Sequence, residues 1–219
     1  METPIVLANT VSAGIAEAIT GMSPAQQRNL RRRGHMPALS GEGRNAKLDG
    51  ETLAYMRLLQ TFSGRGIDPA DSTDHLRDLA SHVLYFSAAY GDPNEPIYAD
   101  QTGTAITAKR AGRLIFAHTR HAPMEAVERL TFRRFFVWGS RHATTMTDDL
   151  NETFGIMRPR DEPETVADLS ERLKIVSAQR EGPALILDLS AIGIDLAERA
   201  RHWRPLYVLH PPDADEFLT

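Results

Sequence analysis

Short apolar stripes, separated by polar or glycine stops, run through the first third of the chain. The first stripe places Ile15, Ala16 and Ile19 at the spacing that brings side chains to one face of a helix. Gly21 follows, and a glycine allows a tight turn because it has no Cβ to clash. The pattern predicts a first helix over residues 12–20 with one buried face.

The second segment carries the strongest start signals in the chain. Ser23 precedes Pro24, a residue that suits the first position of a helix, and Gln26 lies three residues after Ser23. A serine and a glutamine at this spacing form a capping box, in which each side chain accepts a hydrogen bond from the other residue's backbone amide. Gly34 is placed for a C-terminal cap. We therefore predict a helix from Ser23 to Gly34.

Residues 37–48 contain the turn residues and the anchors of a short β-hairpin. Gly41 and Gly43 supply the turn, and Leu39 and Leu48 are placed to hold its two sides. The sequence therefore predicts a hairpin between the second helix and the third.

Two further helices are predicted, each opened by an aspartate. Asp49 begins the third, over residues 49–63, and Asp68 with Pro69 begins the fourth, over residues 68–89. Their apolar positions repeat at helical spacing. The positions predicted to face inward are Leu53, Met56, Leu59, Leu76, Leu79, Val83 and Phe86.

Residues 91–96, Gly-Asp-Pro-Asn-Glu-Pro, form the clearest linker, so we expect two domains at residues 1–91 and 97–219. The second domain mixes strand and helix patterns. Strands are expected at Arg113–Ala117, Leu130–Trp138, Ala184–Leu189 and Leu206–Leu209, and helices at Pro163–Gln179 and Ser190–His202. The stretch Leu130–Trp138 is equally open to a helix over Met124–Arg141. The expected fold class is α+β.

Composition and charge narrow the chemistry. The 219 residues contain no cysteine, which excludes disulfides, thiolate metal sites and cysteine nucleophiles. The net charge of −4 is unevenly spread, since residues 1–66 sum to about +3 and the remainder to about −7. A basic N-terminal region attracts a polyanion locally even where the whole chain is acidic.

Two helices joined by a tight glycine turn, with the second one basic, are typical of a helix-turn-helix. In that motif the second helix presents polar side chains near its N-terminus to base edges in the major groove of DNA. A hairpin after it can serve as a wing along the backbone or minor groove. The predicted DNA contacts are Ser23, Gln26, Gln27, Arg28, Arg31, Arg32, Arg33 and His35 on the helix and its exit, and Arg44, Asn45 and Lys47 on the wing.

At these positions the chain resembles the MerR family of winged-helix regulators. The likeness rests on Arg28 and on residues 15–24, 33–37, 44–48 and 53–67, and it spans about 75 residues. It implies an N-terminal winged helix-turn-helix that binds DNA, with Arg28 on the recognition helix. Three features depart from the family: Asn29-Leu30 replace the usual aromatic residue, Gly91 shortens the long dimerising helix, and the cysteine effector site is absent. Effector sensing and promoter remodelling therefore do not carry over.

These observations lead to one main functional hypothesis. We expect a cytoplasmic, nucleoid-associated homodimer of bacterial or phage type that binds specific double-stranded DNA sequences and regulates transcription. The acidic C-terminal domain is expected to supply self-association or a surface for a protein partner. Two alternatives stay open: a DNA-binding adaptor for a phage packaging or recombination complex or another protein complex, and a regulator with a small-molecule site in the C-terminal domain.

Catalytic, metal-binding and membrane patterns are weak. The sequence has no phosphate-binding glycine loop, no GxSxG elbow, no HExxH and no dinucleotide fingerprint, so we expect no enzyme. His118, His121 and His142 are the best metal candidates, but nothing in the sequence fixes them together. We therefore expect no metal and no cofactor. No apolar run approaches the length of a membrane span, so we expect no membrane partner.

Overall fold

The computed structural model describes residues 5–37, 47–90, 107–130, 132, 134–139, 166–167, 169–170, 184–203 and 207–210. The helices in these ranges are α1 (Ala13–Thr20), α2 (Pro24–Arg32), α3 (Gly50–Ser63), α4 (Pro69–Tyr90), α5 (Ala108–Arg120), α6 (Met124–Glu128) and α7 (Leu189–Arg201). The strands are β1 (Ile5–Ala8), β2 (Phe135–Gly139), β3 (Ala184–Asp188) and β4 (Tyr207–His210). The chain is helix-rich with short antiparallel pairings, and the expected α+β class is confirmed at this level.

The four helices predicted before residue 91 are present at the expected places. Ser12, Ser23 and Asp49 are their N-caps in α1, α2 and α3, and each side chain accepts a hydrogen bond from the amide three residues ahead. This local pairing stabilises a helix start because the first amides have no partner within the helix. The predicted inward positions are at most 6% exposed: Leu53, Met56, Leu59, Leu76, Leu79, Val83 and Phe86.

Helix α4 lies at the centre of the core, where α3, α5 and α7 all pack against it. Two glycines allow the closest approaches. A Cβ at Gly112 of α5 would lie 2.9 Å from the Tyr85 side chain and carbonyl oxygen, and one at Gly193 of α7 would lie 2.6 Å from the carbonyl oxygen of Val83. Neither distance is compatible with a Cβ, so both helices need glycine at these contacts.

Two pairs of strands join distant parts of the chain. Strand β1 pairs antiparallel with β4, with Ile5 opposite His210 and Ala8 opposite Tyr207. Strand β2 pairs antiparallel with β3, from Phe135 opposite Asp188 to Gly139 opposite Ala184. The first described strand is therefore held by the last one.

The predictions for the second half of the chain are partly right. The strands near 184 and 207 and the helix between them are confirmed. The predicted strand Arg113–Ala117 is wrong, because these residues lie inside α5, where a buried helix face uses the same apolar run. Within the stretch 124–141, the described residues Met124–Glu128 form helix α6 and Phe135–Gly139 form strand β2. Of the helix predicted at Pro163–Gln179, residues 166, 167, 169 and 170 are described, and they are helical.

The core draws residues from both sides of the predicted domain boundary. Leu59 and Phe62 of α3, Phe116 of α5 and Leu196 of α7 belong to the same buried cluster. The linker at 91–96 lies outside the described residues, and the division into two domains stays a prediction. Within the described ranges, no helix is both long enough and apolar enough to cross a membrane.

Candidate nucleic-acid interface

Helices α1 and α2 meet at the predicted glycine turn. Gly21 has a φ of +81°, a left-handed conformation that favours glycine. Met22 follows and is buried. Gln27 reaches back from α2, and its Nε2 donates to the carbonyl oxygens of Met22 at 2.8 Å and Ala13 at 3.1 Å. These bonds tie the second helix to the start of the first and to the turn between them.

The position of Gln27 corrects one predicted DNA contact. Its side chain is fully buried between α1 and α2, so in this structure it cannot reach a base edge. A glutamine among solvent-facing polar residues resembles a base-reading residue in sequence. Its burial follows from the packing of α2 on α1, which places the Gln27 side chain against the carbonyl oxygens of Ala13 and Met22.

The start of α2 has the predicted capping box. The Gln26 amide donates to Ser23 Oγ at 3.3 Å, and the Ser23 amide donates to Gln26 Oε1 at 2.9 Å. Pro24 occupies the first helical position. Ser23 and Gln26 therefore lie at the exposed N-terminal end of α2, with these polar atoms already in mutual hydrogen bonds.

The end of α2 is held by a glycine cap and by α3. Gly34 has a φ of +76°, and the amides of Gly34 and His35 donate to the carbonyl oxygens of Arg31 and Leu30 at 3.0 and 2.9 Å. This pairing is a Schellman motif. The Tyr55 hydroxyl of α3 then donates to the carbonyl oxygen of His35 at 2.9 Å. His35 is half-buried at the exit of the helix.

Four arginines follow the outer side of α2 and its C-terminus. Arg28, Arg32 and Arg33 are exposed, while Arg31 is half-buried. The Arg31 Nε is buried without a hydrogen-bond partner among the described residues. Burial, together with repulsion from Arg28, lowers the pKa of Arg31. An anion bound beside Arg31 would therefore stabilise the charged form of its guanidinium.

Four other arginines in the described residues form ion pairs with aspartates. Arg57 and Arg199 share Asp195, with N···O distances of 2.7 and 2.9 Å. Arg134 pairs with Asp188 at 2.8 Å, and Arg120 pairs with Asp78. None of the four α2 arginines forms an ion pair with a described acidic residue. The four arginines of α2 and its C-terminus thus form a cluster of cations with no acidic partner among the described residues.

The predicted wing lies mostly outside the described residues, and this includes Arg44 and Asn45. Lys47, at its end, is described and exposed. The next residue, Leu48, is buried and pairs with Val11 through two backbone hydrogen bonds of 2.9 and 3.0 Å. The end of this segment is thus fixed beside α1, on the N-terminal side of α3.

The candidate metal histidines do not gather into a described cluster. His118 and His121 lie at the C-terminal end of α5, and His142 falls outside the described residues. No group of three or more described His, Asp or Glu side chains is arranged to hold a metal ion. Burial and the neighbouring His121 lower the pKa of His118, which favours its neutral form.

Two tyrosines outside the predicted set of contacts bear on this surface. Tyr55 ties the exit of α2 to α3, and Tyr207 covers the first turn of α3 from strand β4. Both side chains are at most 2% exposed. A tyrosine at a buried helical position was the available signal for Tyr55, because its hydroxyl needs a partner. The sequence indicates Tyr207 as a core or interface aromatic, but no local signal reveals its contact with α3, because that partner lies more than 150 residues earlier.

Comparisons of this chain with known protein families, with curated proteins and with solved structures find no match.

Proposed function

We propose that this chain is a sequence-specific double-stranded DNA-binding transcription regulator that presents α2 to the major groove. The observation that carries the proposal is the set of four arginines along α2, which have no described acidic partner. Phosphate groups are the counter-charge that such a surface fits, and guanidinium forks match phosphate oxygens and guanine edges geometrically. The glycine turn and the bonds from Gln27 support it, since they hold α2 rigidly on α1.

The four arginines divide into two roles. Arg28 lies one turn into α2, where a recognition helix meets base edges, and we assign it to base reading. Arg31, Arg32 and Arg33 lie at the other end of the helix, and we assign them to phosphates. In this proposal Ser23 and Gln26 border the bases, His35 borders the backbone, and Gln27 supports the helix from inside.

A winged helix-turn-helix completes the proposal. The segment 38–46 with Lys47 acts as the wing, and it brings Arg44, Asn45 and Lys47 to the backbone or minor groove. The protein acts as a homodimer on an inverted repeat, since a two-fold pair doubles the small number of base contacts that one helix makes.

Selection of bound fragments from random duplex DNA tests the proposal. The purified protein should enrich an inverted repeat at moderate salt. Arg28→Ala should then weaken binding to that repeat by about 5- to 150-fold, the range for one lost bidentate base contact, and relax base preference at one position. Arg32→Ala should weaken binding to every sequence and lower the salt slope by about 1.

Arg129→Ala is the matched control, since this exposed arginine lies after α6 and outside the proposed interface. It should bind the selected repeat as the wild type does. Absence of any enriched sequence would contradict sequence-specific recognition. Equal losses for Arg28→Ala and Arg129→Ala would show that α2 is not the recognition helix.

A further inference from the structure

Helix α2 has little packing of its own to fix its direction. Among its nine residues only Gln27 is buried, while Leu30 packs against the core at partial exposure. The residues on either side are held more deeply: Met22, before α2, is 2% exposed, and Met36, after its glycine cap, is 7% exposed. The contacts made at these two flanks therefore decide in large part how α2 is presented to a ligand.

Helix α3 forms a hydrogen bond to each flank through a side chain. Gln60 Nε2 donates to the carbonyl oxygen of Gly21, in the turn before α2, at 3.3 Å. The Tyr55 hydroxyl donates to the carbonyl oxygen of His35, after the glycine cap, at 2.9 Å. The two acceptors lie on opposite sides of α2 along the chain. One helix thus holds the proposed recognition helix at both of its ends.

Helix α3 is better fixed than the helix it holds. Nine of its 14 residues are buried, and it packs on α4 at the centre of the core. On another side, Arg57 lies between the two donors in sequence and forms an ion pair with Asp195 of α7 at 2.7 Å. A segment with many buried contacts opens less readily than one with few. The side chains of α3 can therefore serve as fixed points for α2.

From these contacts we infer that Tyr55 and Gln60 are positioning residues that determine specificity: by holding both flanks of α2, they set how Arg28 meets base edges. The inference deepens the proposed function and rests on it for its effect on DNA. Base contacts require side chains held within about 0.5 Å and 10–20° of the productive geometry. Phosphate contacts are more tolerant, because charge attraction changes gradually with distance. Loss of either hydrogen bond should therefore reduce base discrimination more than general affinity for DNA.

Two substitutions remove these hydrogen bonds with little change in shape. Tyr55→Phe deletes only the hydroxyl, and Gln60→Met keeps a side chain of similar length and helix propensity without the amide. Tyr85→Phe and Thr61→Val are the matched controls. Tyr85 is similarly buried but lies on α4, and the Thr61 hydroxyl donates within α3 itself. Binding of each variant is measured on the selected repeat and on an unrelated duplex of the same length.

We expect Tyr55→Phe and Gln60→Met each to weaken binding to the repeat about fivefold, as for one lost hydrogen bond, and to leave binding to the unrelated duplex within about twofold of the wild type. Both control variants should bind as the wild type does. In an Arg28→Ala background these losses should largely disappear, since the base contact is already gone, whereas with Arg129→Ala they should persist. Equal losses on both duplexes, no loss on the repeat, or an unchanged loss with Arg28→Ala would overturn the inference.

Hydrogen exchange without DNA separates this inference from the proposed function. Tyr55→Phe should speed exchange of the Gly34 and His35 amides several-fold more than that of amides in α5, and Gln60→Met should do the same for the Gln27 amide. Unchanged exchange at these amides would refute the positioning role even if DNA binding were specific. If the wild type enriches no sequence, the proposed function is wrong and so is the effect on specificity, while the exchange result still decides whether α3 holds α2.

Discussion

The contact between α7 and α4 offers a sharp test of how the two halves of the chain are joined. Gly193 sits against backbone atoms of α4: its missing Cβ would lie 2.6 Å from the Val83 carbonyl oxygen, and 2.9 Å from both the Ser87 nitrogen and Phe86 Cβ. These neighbours cannot turn away as a flexible side chain can. In Gly193→Ala, helix α7 must therefore move away from α4 as a body.

The expected magnitude follows from two opposing effects. Alanine favours a helix over glycine by about 0.5–1 kcal/mol. Overpacking a tight contact by one methyl group typically costs about 1–3 kcal/mol. Gly14→Ala in α1 is the matched control, because nothing lies within 4 Å of a Cβ at that position, so only the helix gain remains. The propensity gain cancels in the comparison, and Gly193→Ala should be about 1–3 kcal/mol less stable than Gly14→Ala.

Urea unfolding followed by circular dichroism measures this difference. Gly14→Ala should raise the transition midpoint slightly, while Gly193→Ala should lower it relative to Gly14→Ala at an unchanged slope. In thermal unfolding, each kcal/mol corresponds to about 2–4 °C for a chain of this size. If Gly193→Ala stabilised the protein as much as Gly14→Ala does, the close packing of α7 on α4 would be wrong.

Three further predictions concern the same architecture. Residues 1–91 expressed alone should not unfold cooperatively, because the segments that supply α7 and β4 are missing from the shared core, and a sharp thermal transition of this fragment would contradict that view. Glu51→Gln should stabilise the protein at pH 7, since burial and Asp49 raise the pKa of Glu51 in the folded state. With a raised folded pKa, the contribution of Glu51 to the free energy of unfolding is greatest below its unfolded pKa of about 4.3 and is lost as pH rises through the folded pKa. The extra stability of Glu51→Gln in urea unfolding should therefore vanish at low pH. Extra stability that is the same at pH 4 and pH 7 would count against this assignment. Ser23→Ala should lower the free energy of unfolding by about 1 kcal/mol, because it removes the capping box of α2. Ser63→Ala, at the exposed end of α3, is the control and should change stability little. Equal effects of the two substitutions would mean that the capping box contributes nothing.

The helices of the first ninety residues could be predicted because their signals are local. Ser12, Ser23 and Asp49 bond to amides three residues ahead, and Gly21 ends α1 by its own backbone conformation. The apolar spacing of α3 and α4 also lies within single helices. At the candidate site, local signals of the same kind predicted α2 and therefore the position of its arginines, which carry the proposed function.

Burial inside the candidate site could not be read in the same way. Gln27 and Arg28 are neighbours of similar polarity, yet Gln27 faces α1 and Arg28 faces solvent. Only the direction of α1 relative to α2 decides which of the two is available to a ligand. The prediction of a strand at Arg113–Ala117 was wrong for a related reason, since an apolar stretch of that length suits a buried strand and a buried helix equally.

The sequence by itself determined where the N-terminal helices begin and end, and which face of each is apolar, because these properties depend on residues within a few positions of one another. The tertiary structure alone decided that β4 pairs with β1, that Tyr207 covers Gly50, and that α7 packs on α4 at Gly193. Such contacts join residues more than a hundred positions apart. They arise from the shape that the assembled helices present, and no local pattern in the chain records that shape.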